Sequence, residues 1–305
     1  MVMIVLNKIN RQKFIKKSVI AIGNFDGVHR GHQKVLSEAK KKAKANKVKL
    51  GILSFEPVPV MFLKKIKNHR INLFKQKIQY LYKNKVDFLF IKKFNKNFRN
   101  LHYLKFIENI ISKTLQSRYV FVSKNFRFGK NREGDINKLR LYEKRFGYET
   151  YITKPLKINN KIISSTRIRN YISKGKIRDA NLLLGREWSV IGKVIKGNQR
   201  GRKIGFPTCN LKLDNYIIPK LGVYSVNISS NSFNKKKGIA NIGYRPTFNG
   251  KSLVLEVNIF GINKNLYKKE LKIDFIKFLR PERKFKDMHD LKKQIKIDII
   301  KSKRK

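Results

Sequence analysis

The chain has one cysteine, Cys209, in 305 residues. A single thiol cannot close an internal disulfide, which accords with the reducing cytoplasm. Acid is scarce as well: 19 Asp and Glu stand against 73 Lys and Arg, a formal charge of +54. Long apolar runs are missing. The run from Met1 to Leu6 is too short for the core of a signal peptide, and no stretch approaches the length of a membrane span. The expectation is a soluble cytoplasmic protein with no membrane partner.

A charge of this size raises nucleic acid as a class of partner. The lysines, however, are scattered through all predicted elements beside abundant Asn and Ile, with no clustered stripe or reading motif. That is the look of compositional drift, so no specific nucleic acid is expected, although a solvated basic surface attracts polyanions weakly at low salt. What the chain does have is length for two domains, and 41% hydrophobic residues to supply two cores.

The most informative stretch is residues 19–36. Val19 to Ile22 reads as a buried strand that breaks at Gly23 and turns through Asn24, Phe25, Asp26 and Gly27. A helix then begins near Gly31, with Val35, Leu36, Ala39 and Ala43 at helical spacing. Strand, glycine-rich turn and helix N-terminus together make a phosphate cradle of backbone N–H groups and helix dipole. His29 and His32 stand at the helix mouth in an H-x-G-H arrangement. Two imidazole donors there suit the charge that builds up when the α-phosphate of a nucleoside triphosphate is attacked. Two surface histidines, or a zinc pair, are the plainer alternatives, though no Cys or carboxylate cluster stands beside them.

Strands at Val48–Phe55, Val86–Ile91, Tyr119–Val122 and Glu149–Thr153 alternate with helices at Phe74–Lys83, His102–Leu115 and Ile136–Phe146. This predicts a parallel sheet covered on both faces, with ligands beyond the carboxyl ends of its strands. The segment after Val122 lies at that edge. In it Asn125 can bond a base or ribose, and Arg127 or Arg132 can neutralise phosphate; a plain basic loop with aromatic anchors is the alternative. Further on, Ser164, Ser165 and Thr166 precede Arg167 and Arg169 at a predicted helix start. Those hydroxyls either cap the helix or, with the arginines, grip outer phosphates.

A short helix at Ile177–Leu184 ends at Gly185, and from Trp188 the period changes. Val190–Lys196, Asn210–Leu213, Val223–Ile228, Gly238–Ile242, Leu253–Phe260 and Leu271–Leu279 read as six strands, with a helix at about Asp287–Ile300. That grammar predicts a small closed antiparallel barrel and a domain boundary near residue 185, giving domains 1–185 and 186–305. Two features of the barrel look chemical. The loop Gly201-Arg202-Lys203-Ile204-Gly205-Phe206-Pro207-Thr208-Cys209-Asn210 can fold over phosphates, with Thr208 and Asn210 offering two oxygens suited to magnesium, or it is a glycine-rich hairpin with polar filler, the commoner case for such loops. Glu256, within an apolar strand, is either a rim residue or a general base.

In order and spacing the three N-terminal elements resemble the adenylyltransferase domain of the bifunctional prokaryotic riboflavin kinase/FAD synthetase family. Gly-Phe-Pro-Thr-x-Asn-Leu, Gly222-Val-Tyr, Ala240-Asn-Ile-Gly-Tyr-Arg-Pro-Thr-Phe, Leu255-Glu-Val and Leu279-Arg-Pro-Glu-Arg-Lys-Phe look like its kinase module. The resemblance runs from about residue 17 to the C-terminus. It implies a Rossmann-like nucleotidylyl transferase domain followed by a six-stranded β-barrel with a C-terminal helix, and substrates riboflavin, FMN and ATP with Mg²⁺ and the product FAD. His29 and His32 would then assist adenylyl transfer. Gly23, Asn24, Phe25, Asp26, Gly27, Gly31, Asn125, Arg127 and the Ser164–Arg169 segment would hold ATP, and Phe55, Pro57, Phe62 and Arg280 would approach flavin. Gly201, Arg202, Gly205, Phe206, Pro207, Thr208 and Asn210 would bind the kinase's nucleotide, the last two with the metal, and Glu256 would activate the riboflavin 5′-hydroxyl. Ser123 and Val58 stand where that family often has Gly and His, and Lys196 and Cys209 where it commonly has His and Ala. A weak homo-oligomer is compatible with this reading.

Overall fold

The structure, a computed structural model, describes residues 3–7, 16–196, 201, 204–247, 250–262 and 264–304, with backbone alone at 245–247 and 250–252. The chain forms two compact units, Met1–Ile66 with Leu73–Ser164, and Lys67–Asn72 with Ser165–Lys305.

The first unit carries strands β1 (Ile4–Leu6), β2 (Val19–Ile22), β3 (Leu50–Glu56), β4 (Phe88–Lys93), β5 (Tyr119–Ser123) and β6 (Glu149–Thr153). They form one sheet in the order β1-β4-β3-β2-β5-β6, and every pairing is parallel. Near-continuous apolar strands such as β2, buried at all four positions, belong in a sheet covered on both sides. Successive residues feed opposite cores. Ile20, Ile22, Val120 and Val122 pack with Phe106 and Ile110 on one face. Val19, Ala21, Leu50 and Phe121 pack with Leu36, Ala39 and Ala43 on the other.

The helices are α1 (Arg30–Ala45), α2 (Pro59–Lys64), α3 (Phe74–Lys83), α4 (Lys96–Arg99), α5 (Tyr103–Lys105), α6 (Ile136–Leu141) and α7 (Glu143–Phe146), and a hairpin of β7 (Lys157–Ile158) and β8 (Lys161–Ile162) follows β6. The predicted helix at His102–Leu115 is α5 running into a π-helical stretch, Phe106–Thr114, which turns Phe106, Ile107, Ile110 and Ile111 inward together. The predicted helix at Ile136–Phe146 breaks at Tyr142, whose backbone (φ −101°, ψ 8°) leaves the helical region. Strand β1 has no sequence signal of its own: three residues are too few for a period, and its pairing with Phe88–Phe90 is wholly non-local.

The second unit contains α8 (Ser165–Ser173), α9 (Ile177–Leu184), β9 (Trp188–Lys193), β10 (Cys209–Lys212), β11 (Gly222–Ser230), β12 (Phe233–Thr247), β13 (Gly250–Ile259), β14 (Glu270–Arg280) and α10 (Met288–Lys303). Its six strands are antiparallel in the order β10-β13-β12-β11-β14-β9. Among the described residues the seam between the two end strands shows one isolated bridge, in which Ile195 N donates to Asn210 O at 2.9 Å. Trp188, Tyr224 and Phe275 form the aromatic centre, with Phe275 4.7 Å from Trp188 and 5.2 Å from Tyr224.

The segment Lys67–Asn72 is built into this second unit, which no local pattern announces. Trp188 Nε1 donates to Ile71 O at 2.8 Å, Arg169 Nε to His69 O at 2.9 Å and Arg186 Nη2 to Asn72 Oδ1 at 2.9 Å. Among the described residues no helix is long and apolar enough to cross a membrane.

Candidate functional site

Strand order in the first unit reverses at β2, whose neighbours are β3 on one side and β5 on the other. In open parallel sheets the crevice beyond the carboxyl ends at such a reversal is where ligands sit. Both the Gly23–His32 turn and the Ser123–Arg127 segment leave from that edge. Helix α1 starts at Arg30 with His29 as its N-cap, and His29 Nδ1 accepts the His32 backbone N–H at 3.3 Å. With Nδ1 accepting, Nε2 is the ring nitrogen left to donate. The two imidazoles stack 3.7 Å apart at 17°, and Phe25 backs His32 at 5.0 Å. His29 is buried and His32 half-buried. The expected histidine pair is therefore one ordered unit rather than two loose surface groups. No group of three or more His, Cys, Asp or Glu side chains able to hold a metal ion occurs among the described residues.

The turn itself is tightly wound. Phe25, Gly27 and Val28 have φ of 48°, 84° and 38°, and a β-branched residue at positive φ is costly. Asn24 is exposed, whereas Phe25, Asp26 and Gly27 are buried. A methyl group at Gly31 would lie 3.1 Å from the His29 ring, closer than side chains usually pack, so the ring would have to give by a few tenths of an ångström. Asn125 is exposed after β5. Arg127 Nη1 lies 3.1 Å from Asp135 Oδ2. Asp135 caps α6, and the Lys138 backbone N–H, followed by the charge of Arg127, holds its carboxyl below the usual carboxylate range.

Phe55 is nearly buried, and Pro57 and Phe62 are half-buried beyond β3. They belong to an aromatic chain that sequence reading missed in part: Phe94 stands 5.5 Å from Phe62 and 6.5 Å from Phe55, and Phe98 5.6 Å from Phe55. The polar run Ser164–Arg169 straddles the two units. Ser164 ends the first, and α8 begins with Ser165 and Thr166 in the second. There Arg167 Nε and Nη2 donate to the Tyr171 hydroxyl at 3.2 and 3.1 Å.

In the second unit the glycine loop leads into β10. A Cβ at Gly201 would come within 2.4 Å of Phe206 O, and Phe206 N donates to Gly201 O at 2.8 Å, so the loop closes on itself only with glycine there. Gly205 has φ of 87°. Arg202 lies outside the described residues. Asn258 Nδ2 donates to Pro207 O at 2.7 Å, which fixes the peptide before the exposed Thr208. Thr208, Cys209 and Asn210 line a cavity of 590 Å³ with Lys196, Pro207 and Tyr267, and a second hollow of 520 Å³ lies against Gly205, Phe206 and Asn258.

Register places Glu256 of β13 between Asn210 of β10 and Asn241 of β12. Directly opposed residues have Cβ atoms about 5 Å apart and share a face of the sheet. The Oδ1 atoms of Asn210 and Asn241 are buried and have no hydrogen-bond partner among the described residues. Val257 and Ile259, on the opposite face of β13, line the larger cavity; Glu256 does not. Asn241 Nδ2 meets Glu282 Oε1 at 3.2 Å, a contact no local pattern reveals. Arg280 is engaged by α10: its Nε and Nη2 lie 2.9 Å from Asp298 Oδ2, and Asp298 also accepts Gln294 Nε2 at 2.8 Å.

Burial pushes the Cys209 thiol up from its ordinary pKa. The reactive thiolate stays scarce when folded-state pKa is raised. Alkylation of Cys209 by iodoacetamide is therefore expected to be several-fold slower than for a free thiol at about pH 8, with the deficit closing as pH rises further. Intact-mass kinetics of labelling across pH check this; labelling at the free-thiol rate at every pH contradicts it.

Comparison with known proteins adds an independent line. A family model for FAD synthetase matches residues 11–167, and one for riboflavin kinase matches residues 184–305. A Buchnera aphidicola (subsp. Schizaphis graminum) protein named bifunctional riboflavin kinase/FMN adenylyltransferase is 40% identical over 295 residues, covering 95% of this chain and 94% of its own. An Escherichia coli K12 protein of the same name is 33% identical over 281 residues, with 92% and 90% covered. A crystal structure from Streptococcus pneumoniae, described as a macrolide-efflux protein, matches with a TM-score of 0.89 at 28% identity over 100% of both chains.

Proposed function

The chain belongs to the bifunctional riboflavin kinase/FMN adenylyltransferase family, and from that premise we propose that it makes FAD in two successive steps, one in each half. Residues 186–305 phosphorylate riboflavin, and residues 1–185 adenylylate the FMN produced. The observation that carries this reading is that each compact unit holds its own constellation: the stacked His29–His32 pair at a helix mouth, and the Asn210–Glu256–Asn241 row beside a glycine loop.

The two steps need different help. In the first, the riboflavin 5′-hydroxyl oxygen attacks the γ-phosphorus of ATP, its proton passes to Glu256, and ADP leaves. A primary alcohol is a poor nucleophile near neutral pH, so a base is required. The orphaned Oδ1 of Asn210 and the exposed hydroxyl of Thr208 are hard oxygen donors that fit Mg²⁺. When bound there the ion would neutralise phosphate charge. Gly201, Gly205, Phe206 and Pro207 border the nucleotide.

In the second step an anionic phosphate oxygen of FMN attacks the α-phosphorus of ATP, and pyrophosphate departs. No base is needed. His29 Nε2–H and His32 donate to the α-phosphate oxygens and the leaving group, aided by the N-terminus of α1. Asn125, Arg127 and Ser164 hold the rest of ATP within this unit, and Ser165, Thr166, Arg167 and Arg169 at the start of α8 are a further set of groups suited to phosphate. Phe55, Pro57 and Phe62 offer apolar surface to the isoalloxazine, and Arg280 stands toward the flavin of the kinase half.

Riboflavin and Mg-ATP incubated with the full chain should yield FMN first and FAD with pyrophosphate afterwards, resolved by chromatography over time. If neither flavin nucleotide forms, the reading fails. A narrower test is Gly31→Ala. Its methyl presses on the His29 ring at 3.1 Å, so a ring shifted by a few tenths of an ångström should lower FAD formation from FMN about threefold to tenfold while riboflavin phosphorylation is unchanged. Unchanged FAD formation would mean that the ring's position does not matter.

A further inference from the structure

Lys77 is 2% exposed, although lysine is among the residues least often buried. It lies on α3, and its ammonium is used with some economy of geometry. Nζ donates to Asn24 O at 3.0 Å and to Ser54 Oγ at 3.2 Å, while Ser54 Oγ itself donates to Asn24 O at 3.2 Å. Ser54 is fully buried at the carboxyl end of β3. Three elements distant in sequence therefore meet on one carbonyl oxygen, that of the residue opening the turn between β2 and His29.

That carbonyl is a consequential place to hold. The turn runs through positive φ at Phe25, Gly27 and Val28 before it delivers His29 to the helix mouth. Its far end is tied by Gln33 Nε2, which donates to Val28 O at 2.9 Å. A backbone wound this tightly persists only when its surroundings over-determine it. An ammonium is a compact donor of three hydrogen bonds, and one working in a dry site binds its acceptors more firmly than a neutral group does.

We propose that Lys77 is a positioning residue for adenylyl transfer. By clamping the Asn24 carbonyl onto β3 it holds the Gly23–Val28 turn in the wound conformation that sets the stacked histidines and the cradle's N–H groups around the α-phosphate. It touches neither substrate nor the reacting atoms. This rests on the H-x-G-H site reading above.

The test uses the full chain. Lys77→Met keeps much of the side chain's length and apolar stem and removes the donors. With FMN and Mg-ATP, kcat for FAD formation should fall about 10- to 100-fold, KM for ATP should stay within about threefold, and riboflavin phosphorylation should be unchanged. Ser54→Ala removes one corner of the triangle and should lower the same kcat about threefold to tenfold. A merely structural lysine would instead lower the melting temperature and leave kcat per folded molecule as it was, and that result overturns the proposal. If Lys77→Met does not fold, Ser54→Ala with wild-type kcat and a wild-type melting temperature overturns it equally. His32→Ala separates the layers: should it keep full FAD synthesis, the site reading itself has failed, whereas its loss beside an unaffected Lys77→Met removes the lysine's role alone.

Discussion

Replacing Glu256 by Gln should lower the rate of FMN formation from riboflavin about 10²- to 10⁴-fold and leave conversion of added FMN to FAD within about twofold. The substitution keeps the side chain's size and its place in the ladder between Asn210 and Asn241 while taking away the carboxylate charge and its capacity to accept a proton. An effect confined to one reaction is the point. The alcohol needs a base and the phosphate does not, so a shared catalytic carboxylate is chemically unnecessary. Initial rates of both reactions, measured on the same folded preparation, decide it. If both fall together, Glu256 is not the kinase's base.

The second large effect is expected in the opposite half. His32→Ala should slow FAD formation about 10²- to 10³-fold, the scale on which loss of one preorganised donor is felt, with phosphorylation of riboflavin unaffected. His29→Ala should do the same at an added cost in stability of about 1 kcal/mol, because that ring also caps α1. His29→Asn separates the two contributions. It restores a capping acceptor, so thermal stability should return while FAD synthesis stays low. Since the rings stack at 3.7 Å and His29 Nδ1 accepts from the His32 backbone, the double variant should be little worse than either single one. Two losses that simply multiply would mean that the rings act separately.

Much of this molecule is written locally. The alternation of strand and helix before Leu184, the change of period at Trp188 and the H-x-G-H turn all rest on neighbours two, three or four positions apart, and such spacings survive into the structure because each element buries the face its period prescribes. What no spacing announces is which distant residues meet. Strand β1 exists because Phe88–Phe90 offers it an edge, and Lys67–Asn72 joins the second unit through Trp188, Arg169 and Arg186. The guanidinium of Arg280 is held by Asp298 of α10, a partner that no local spacing names.

By itself, then, the sequence determined two domains' worth of elements, the family to which they belong and the polar groups proposed to serve its two reactions. Tertiary structure alone decided the rest: that Glu256 sits in register with Asn210 and Asn241, that His29 and His32 stack, and that Lys77 reaches under the turn that precedes them. The reason is physical. Periodicity acts over one turn of helix or two residues of strand, whereas sheet register and burial are settled by the pairing of chain segments far apart in sequence, where the free energy depends on both partners at once.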